Sequence, residues 1–443
     1  MAPAQDAEQP WIVAEPADFR APAQGWKLHV ASYASGAAET LARALPVIVA
    51  ARAAFKVVGS LAWLGGLNRG AAGLAQVGKF VTVYPASDGA AVELALALGQ
   101  ATRGLRGPLV PSDRPLTTDA VVSYRYGAFG GTQMQTRVGE IAPALVAPDG
   151  TLEPDRRGVV PLHPSWVEDP FAARGLGGPA PWATPVAERY RPIAVLSRSP
   201  GAVVQLGLDV EAPRACVLKR ARLRARAGVD DPGVRLRREA RVLAQLGQLS
   251  CAPRLYAVVS DGDECAVVTE DLGGVTLSEH MRPLAASGEL PSADRVVDVG
   301  VALTDAVAAV HDRGLVHGDL KSANIVLRPD GSVRLIDFDL ARPVGAERPP
   351  GAGTRGYTSP NCRAGGPMET ADDAYALGAV LYFLLTGAEP SRAPNADRLL
   401  DRPPTLINPR TPSALLAVVE RCLSRDSRNR FYTASEVRRA LHA

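Results

Sequence analysis

Apolar and polar residues alternate over Trp26-Lys27-Leu28-His29-Val30, which predicts a half-buried strand with Lys27 and His29 on one face. Over residues 37–55 the spacing changes: Leu41, Leu45, Val49 and Ala53 recur at helical intervals and predict a helix that runs into a short strand, Phe55-Lys56-Val57-Val58. Gly78-Lys79-Phe80-Val81-Thr82-Val83-Tyr84-Pro85 reads as a turn and a strand ended by its proline. Ser87 then caps a helix carrying Val92, Leu94 and Leu98. Val121-Val122-Ser123-Tyr124-Arg125-Tyr126-Gly127 is a further strand with Arg125 inside it. Strands and helices interleave without a repeat, so the expected fold class is α+β. Residues 141–185 turn Pro- and Gly-rich and read as a linker, within which Pro164-Ser165-Trp166-Val167-Glu168-Asp169-Pro170-Phe171 is more apolar than a free tether.

A second series opens with Ile193-Ala194-Val195-Leu196, a loop containing Gly201, and the strand Val203-Val204-Gln205-Leu206-Gly207. Ala215-Cys216-Val217-Leu218-Lys219 is another strand. Leu236, Glu239, Leu243 and Leu246 share one face of a helix, which sets a carboxylate in an apolar stripe. An unpaired carboxylate is costly there, so an ion pair between Glu239 and Lys219 is expected. The longest uncharged apolar run, 374–387, is shorter than the ~18 residues of a membrane span.

Composition narrows the reading. The 443 residues suffice for two or three domains, and a net charge of +3 implies no dedicated nucleic-acid or membrane surface. The first ten residues lack the basic start and apolar core of a signal peptide, so a cytoplasmic location is expected. The five cysteines form no C-x-x-C pair, which indicates neither a disulfide framework nor a zinc cluster. Of 49 basic residues only five are lysines, Lys27, Lys56, Lys79, Lys219 and Lys321. Where arginine serves as the ordinary surface cation, each lysine is a candidate for work that guanidinium cannot do, as a compact point charge or a deprotonatable amine.

The chemistry is densest at His317-Gly318-Asp319-Leu320-Lys321-Ser322-Ala323-Asn324 and Asp337-Phe338-Asp339. One carboxylate to orient a hydroxyl, and an amide with a second carboxylate to hold Mg²⁺, are the parts of a phosphoryl-transfer site. These stretches resemble the catalytic loop and metal-binding triplet of protein kinases, and the resemblance extends over 186–443. It implies that Lys219 and Glu239 hold the α/β-phosphates of ATP or another NTP, Lys321 the γ-phosphate, Asn324 and Asp337 the Mg²⁺, and Asp319 the acceptor hydroxyl. Gly201 belongs to a degenerate Gly-rich loop. The stretch 353–360 resembles the end of an activation segment, and Asp373 stands where kinases brace the catalytic loop. Three positions depart from the family pattern. Gly318 replaces the arginine that reads a phosphorylated activation loop, Asp339 replaces a glycine, and Asn361 stands where a glutamate pairs Arg430.

In the first half, three lysines, one histidine and one arginine near strand ends can build a cationic phosphate pocket. Lys-x-His, Phe-Lys, Gly-Lys-Phe-Val-Thr-Val-Tyr-Pro and Tyr-Arg-Tyr-Gly resemble the N-terminal phosphoserine/phosphothreonine lyase domain of class III lanthipeptide synthetases, over about residues 1–185. That domain is similar in turn to bacterial effector phosphothreonine lyases. The resemblance implies Lys56 as base, His29 as general acid, Lys27 as carbonyl stabiliser, and Lys79 with Arg125 as phosphate binders, joined by Tyr84 and Arg137. Together the halves imply a peptide dehydratase, which phosphorylates Ser or Thr of a ribosomally made precursor peptide and then eliminates the phosphate. The cyclase domain typical of such enzymes is expected to be encoded separately, removed or unneeded, leaving linear dehydrated peptide as product. Two other readings stay open: an ordinary Ser/Thr kinase whose N-terminal domain only binds a partner, and a pseudokinase scaffold.

Overall fold

The computed structural model describes residues 10–20, 22–135, 141–155, 163–177, 182, 184–199, 201–222, 232–261, 264–348, 352–393 and 396–442. The chain divides into two units, residues 1–185 with 194–204, and residues 186–193 with 205–443.

The N-terminal unit runs β1 (Trp11–Ala14), β2 (Gln24–Val30), α1 (Ala37–Ala50), β3 (Ala54–Val58), α2 (Leu61–Asn68), β4 (Val81–Tyr84), α3 (Asp88–Ala101), β5 (Arg114–Pro115) and β6 (Val122–Ala128). The strands form one antiparallel sheet in the order β1-β3-β4-β2-β6-β5. Leu28 pairs with Val83 and Tyr124, and Val30 with Val81 and Val122. This apolar face packs with Ile48 of α1 and Ala91, Leu94 and Leu98 of α3 in one core. A slip of one residue would turn every one of these side chains to the other face, so the register is strongly specified.

The stripe that α1 buries differs from the one its leucines predict. Ala37, Thr40, Ala44 and Ile48 are buried, Leu41 and Leu45 are half-buried, and Val49 is 60% exposed. The period is helical as expected, but the buried stripe is made mostly of small side chains, and α1 packs on α3. The Pro- and Gly-rich stretch is also more than a linker. β7 (Gln133–Gln135), β8 (Ile141–Val146) and β9 (Leu152–Pro154) form a small sheet. Phe171 is fully buried and stacks on Tyr124 at a centroid distance of 3.8 Å, with Trp26 edge-on to both. Asp169 accepts from Arg114 at 2.9 Å.

β10 (Tyr190–Ser199), β11 (Ala202–Asp209), β12 (Arg214–Arg222), β13 (Leu255–Asp261) and β14 (Glu264–Glu270) form a further sheet in the order β10-β11-β12-β14-β13. α4 (Pro232–Leu246) packs on β12 and β14, burying Leu236, Glu239, Leu243 and Leu246. After β15 (Val275–Thr276) the chain is mainly helical, with α5 (Leu277–Ser287), α6 (Ala293–His311), α7 (Pro360–Arg363) and α8 (Thr370–Thr386). Two short pairings, β16 (Leu315–Val316) with β19 (Arg342–Pro343) and β17 (Ile325–Leu327) with β18 (Val333–Leu335), hold the loops between them. α8 is buried on every side, as a helix apolar all round must be. No helix among the described residues is long and apolar enough to cross a membrane. All five cysteines are buried and none is in a disulfide.

Phe171→Ala should cost ~3–5 kcal/mol, the range for deleting a buried aromatic side chain. Denaturant unfolding followed by tryptophan fluorescence reads it, because Trp26 touches Phe171. A loss below about 1 kcal/mol would mean that the segment around Phe171 is only a tether.

Candidate functional site

The second face of the six-stranded sheet is polar. Register places Lys56, Thr82, His29 and Ser123 in one cross-strand row and Lys27 with Arg125 in the next. Tyr84 shares this face, its ring 5.7 Å from Lys27 Nζ. Lys27, His29, Lys79 and Arg125 are all buried, which demands nearby anions or acceptors. Asp113, between α3 and β5, is bonded to His29 Nδ1, accepts from Ser112 Oγ at 2.8 Å and Ser123 Oγ at 3.3 Å, and lies 3.5 Å from Lys79 Nζ. Asp155, just past β9, pairs with Arg125. Lys27 Nζ donates to the carbonyl of Ala128.

The glycine before Lys79 seats part of this arrangement. Gly78 has φ +78°, and a Cβ there would meet Val110 Cγ2 at 3.0 Å and the carbonyls of Leu109 and Pro108 at 3.1 and 3.2 Å. The loop that leads to Asp113 therefore lies directly against the backbone that leads to Lys79.

Burial, with Lys79 and Lys27 adding to it, lowers the His29 pKa to about 3 in spite of Asp113. The ring is neutral at pH 7. With Nδ1–H given to Asp113, Nε2 carries the lone pair. Burial opposes ionisation of Asp113, but His29 and Lys79 outweigh it and hold the carboxyl far below its usual range. Lys56 is half-buried, with Nζ 4.2 Å from the centre of the Trp11 ring. Arg137 lies outside the described residues.

In the second unit Lys219 Nζ donates to Glu239 Oε2 at 2.6 Å and to Asp337 Oδ1 at 2.5 Å, so the expected ion pair is present and gains a third member. Burial works to deprotonate Lys219, but Glu239, Asp337 and Asp339 raise its pKa. Burial pushes Glu239 up to about 7 against the pull of Lys219. Burial would raise Asp337 too, but Lys219 holds it at about 2. Asp337 has φ +65°, a left-handed conformation rare for a non-glycine residue and a form of strain found at functional sites.

The catalytic loop is equally tied. Lys321 Nζ donates to Asp319 Oδ2 at 2.6 Å and to Thr354 Oγ1 at 3.1 Å, while Thr354 Oγ1 donates to Asp319 Oδ1 at 2.7 Å. Asn324 Nδ2 donates to the Asp319 carbonyl at 2.9 Å. Its Oδ1 is then the atom available to a cation. It and the Asp337 carboxylate are hard oxygen donors of the kind that could hold Mg²⁺. Asp373 accepts from the backbone N–H of His317 at 2.8 Å and of Gly318 at 3.0 Å, and bonds His311 Nε2 at 2.9 Å. Arg430 is buried and donates to the carbonyls of Ser424 and Ala371 at 3.0 and 3.2 Å. Gly201 lies in the turn between β10 and β11 with φ +88°.

Residues 199–440 match the protein kinase domain. The chain belongs to the protein kinase family. Residues 3–176 match a second family, described as the N-terminal domain of RamC. Over 389 residues, 85% of the chain, it is 36% identical to the probable SapB synthase of Streptomyces coelicolor, of which it covers 41%. The kinase domain is similar to serine/threonine-protein kinase PknL of Mycobacterium tuberculosis, 35% identical over 206 residues, 46% of this chain and 50% of that protein. It is also similar to PknA of Nostoc, 31% identical over 276 residues, 57% of this chain and 47% of that protein. The chain thus spans about two fifths to one half of the length of these relatives.

Sequence reasoning names the cations of the N-terminal face and misses their anions. Asp113 sits in Pro111-Ser112-Asp113-Arg114-Pro115, which reads as an ordinary turn, and Asp155 follows a three-residue strand. In the kinase domain it misses Thr354, whose hydroxyl bridges Asp319 and Lys321; the signal was its place in the activation-segment motif.

An unfolded histidine titrates near 6.5 and His29 in the folded chain at about 3. As pH falls through 6.5 the unfolded chain takes up a proton that the folded chain refuses, so the N-terminal unit loses stability with acidification. Denaturant midpoints at pH 7 and pH 5 should fall more in the wild type than in His29→Asn. Equal drops in both would show that another group sets the dependence.

Proposed function

We propose that the chain is a bifunctional peptide dehydratase of the class III lanthipeptide synthetase type. It phosphorylates Ser or Thr of a precursor peptide and then eliminates the phosphate to give dehydroalanine or dehydrobutyrine. One observation carries the reading: Lys27, His29, Lys56, Lys79 and Arg125, from separate stretches of sequence, converge at one polar face of a sheet in the same chain as a complete kinase residue set. The similarity to a SapB synthase over 85% of the chain supports it.

In the kinase step Asp319 accepts a hydrogen bond from the peptide hydroxyl and takes up its proton as the oxygen attacks the γ-phosphorus of ATP; the bond from that phosphorus to the β,γ-bridging oxygen breaks and ADP leaves. Lys219, fixed by Glu239, holds the α/β-phosphates, and Lys321 the γ-phosphate. Asn324 and Asp337 would hold Mg²⁺, which would supply positive charge to the phosphates when bound. Thr354 keeps Asp319 and Lys321 aligned before peptide arrives.

In the lyase step the phosphorylated residue lies across the polar face. Lys56 removes the α-proton, the electron pair forms the Cα–Cβ double bond, and the Cβ–O bond breaks to release phosphate. Lys27 stabilises the enolate-like oxygen, while Lys79, Arg125, Tyr84 and Arg137 bind the phosphate. His29 protonates the departing oxygen. Burial, with Lys79 and Lys27, keeps it neutral without ligand, so it must first take up a proton from solvent; a phosphate dianion beside the two lysines favours that uptake by offsetting their charge.

A second reading, a Ser/Thr kinase with a partner-binding N-terminal unit, draws on the fact that His29 and Arg125 already have carboxylate partners.

The two readings separate on Lys56→Met. With MgATP and a Ser-containing precursor peptide the wild type should yield peptide that has lost water. The variant should accumulate phosphopeptide, seen by mass spectrometry. Water loss at the wild-type rate in the variant removes Lys56 as the base, and phosphopeptide as the end product of the wild type favours the partner-binding reading. Asp337→Asn should abolish phosphorylation with its thermal midpoint within about 3 °C of the wild type. Phosphorylation at an undiminished rate would overturn the assignment of the kinase residues.

A further inference from the structure

Asp339 stands where the kinase pattern has glycine, and neither reaction above uses it. Its side chain is buried and ion-paired with Arg235 of α4. Arg235 precedes Glu239 by four residues, one turn of helix, so both lie on one face of α4. Asp339 follows Asp337 by two residues, in the short turn Phe338–Leu340. α4 is therefore tied to the metal-binding segment at two levels, through Glu239–Lys219–Asp337 and through Arg235–Asp339.

The surroundings of Asp339 are cationic. Arg342 donates to the Asp339 backbone carbonyl at 3.2 Å. Burial, then Arg238, lowers the Arg342 pKa to about 10, and burial lowers that of Arg238, with Asp339 opposing the shift in each. Three arginines thus surround one resident carboxylate. A kinase activated by phosphorylation brings such a charge in from its activation segment, through the arginine that precedes the catalytic aspartate. Here that position is Gly318, with φ +78°, and a Cβ on it would meet Met368 Cε at 2.5 Å and the Leu340 carbonyl at 3.2 Å.

We propose that Asp339 is a positioning residue, a built-in counter-ion that latches α4 to the metal-binding segment and keeps the Lys219–Glu239 pair assembled without a phosphate. The inference rests on membership of the kinase family and not on the dehydratase reading, and its test needs no peptide substrate.

Hydrogen–deuterium exchange on the full chain without nucleotide reads the latch. Asp339→Asn and Arg235→Gln should each speed exchange of the α4 amides about tenfold, and the double variant should be no faster than either single one, since one interaction is lost once. Arg235→Lys should keep most of the protection. Exchange in α8, the buried helix at the centre of the unit, should stay as in the wild type. Phosphatase treatment of the wild type should leave α4 protected. The latch is overturned if Asp339→Asn leaves α4 exchange unchanged, if the single effects add in full, if α8 opens as much as α4, or if dephosphorylation alone frees α4. Should Asp339→Asn fail to fold, Arg235→Gln, whose side chain is 43% exposed, decides the question alone.

Discussion

A cation taken out of water must be given an anion or it surrenders its proton, and both units are arranged around that constraint. In the kinase domain Lys219 stays charged because two carboxylates lie within hydrogen-bonding distance. In the N-terminal unit Lys79 and Arg125 are met by Asp113 and Asp155, while Lys27 is met by a backbone carbonyl. The same rule separates the outcomes for two bases. Lys219 has enough negative neighbours to remain an ammonium, whereas His29, with one carboxylate against two lysines and full burial, does not.

On the proposed lyase reading, a phosphate dianion reaches an Arg125 that already holds Asp155, and its net gain is what it adds to or displaces from that charge-assisted pair. A dianion presents more charge than one carboxylate, so on that reading the face favours doubly charged groups over neutral and singly charged ones.

Much of this was legible from residue order. Period-two alternation located β2, β4 and β6, and the scarcity of lysine marked the cationic face before any contact was known. The kinase residues were readable because phosphoryl transfer fixes both residue type and spacing. Illegible parts share a cause, which is that they depend on long-range approach. Asp113 reaches His29 across 84 residues and Asp155 reaches Arg125 across 30, from turns whose local pattern has no period. The buried face of α1, Ala37, Thr40, Ala44 and Ile48, is not the one its leucines mark, because alanine carries little hydrophobic signal in the sequence. Asp339 was visible as a departure, but its partner Arg235 lies 104 residues away on another element.

The cysteines gain a meaning from the product. Dehydroalanine is an electrophilic alkene, and the nucleophile it meets most readily is a thiolate. Burial raises the pKa of Cys216, Cys251, Cys362 and Cys422, and Cys265 is buried as well. A chain that generates such alkenes, as proposed, holds its five thiols out of reach and four of them protonated, and so is spared alkylation by what it releases.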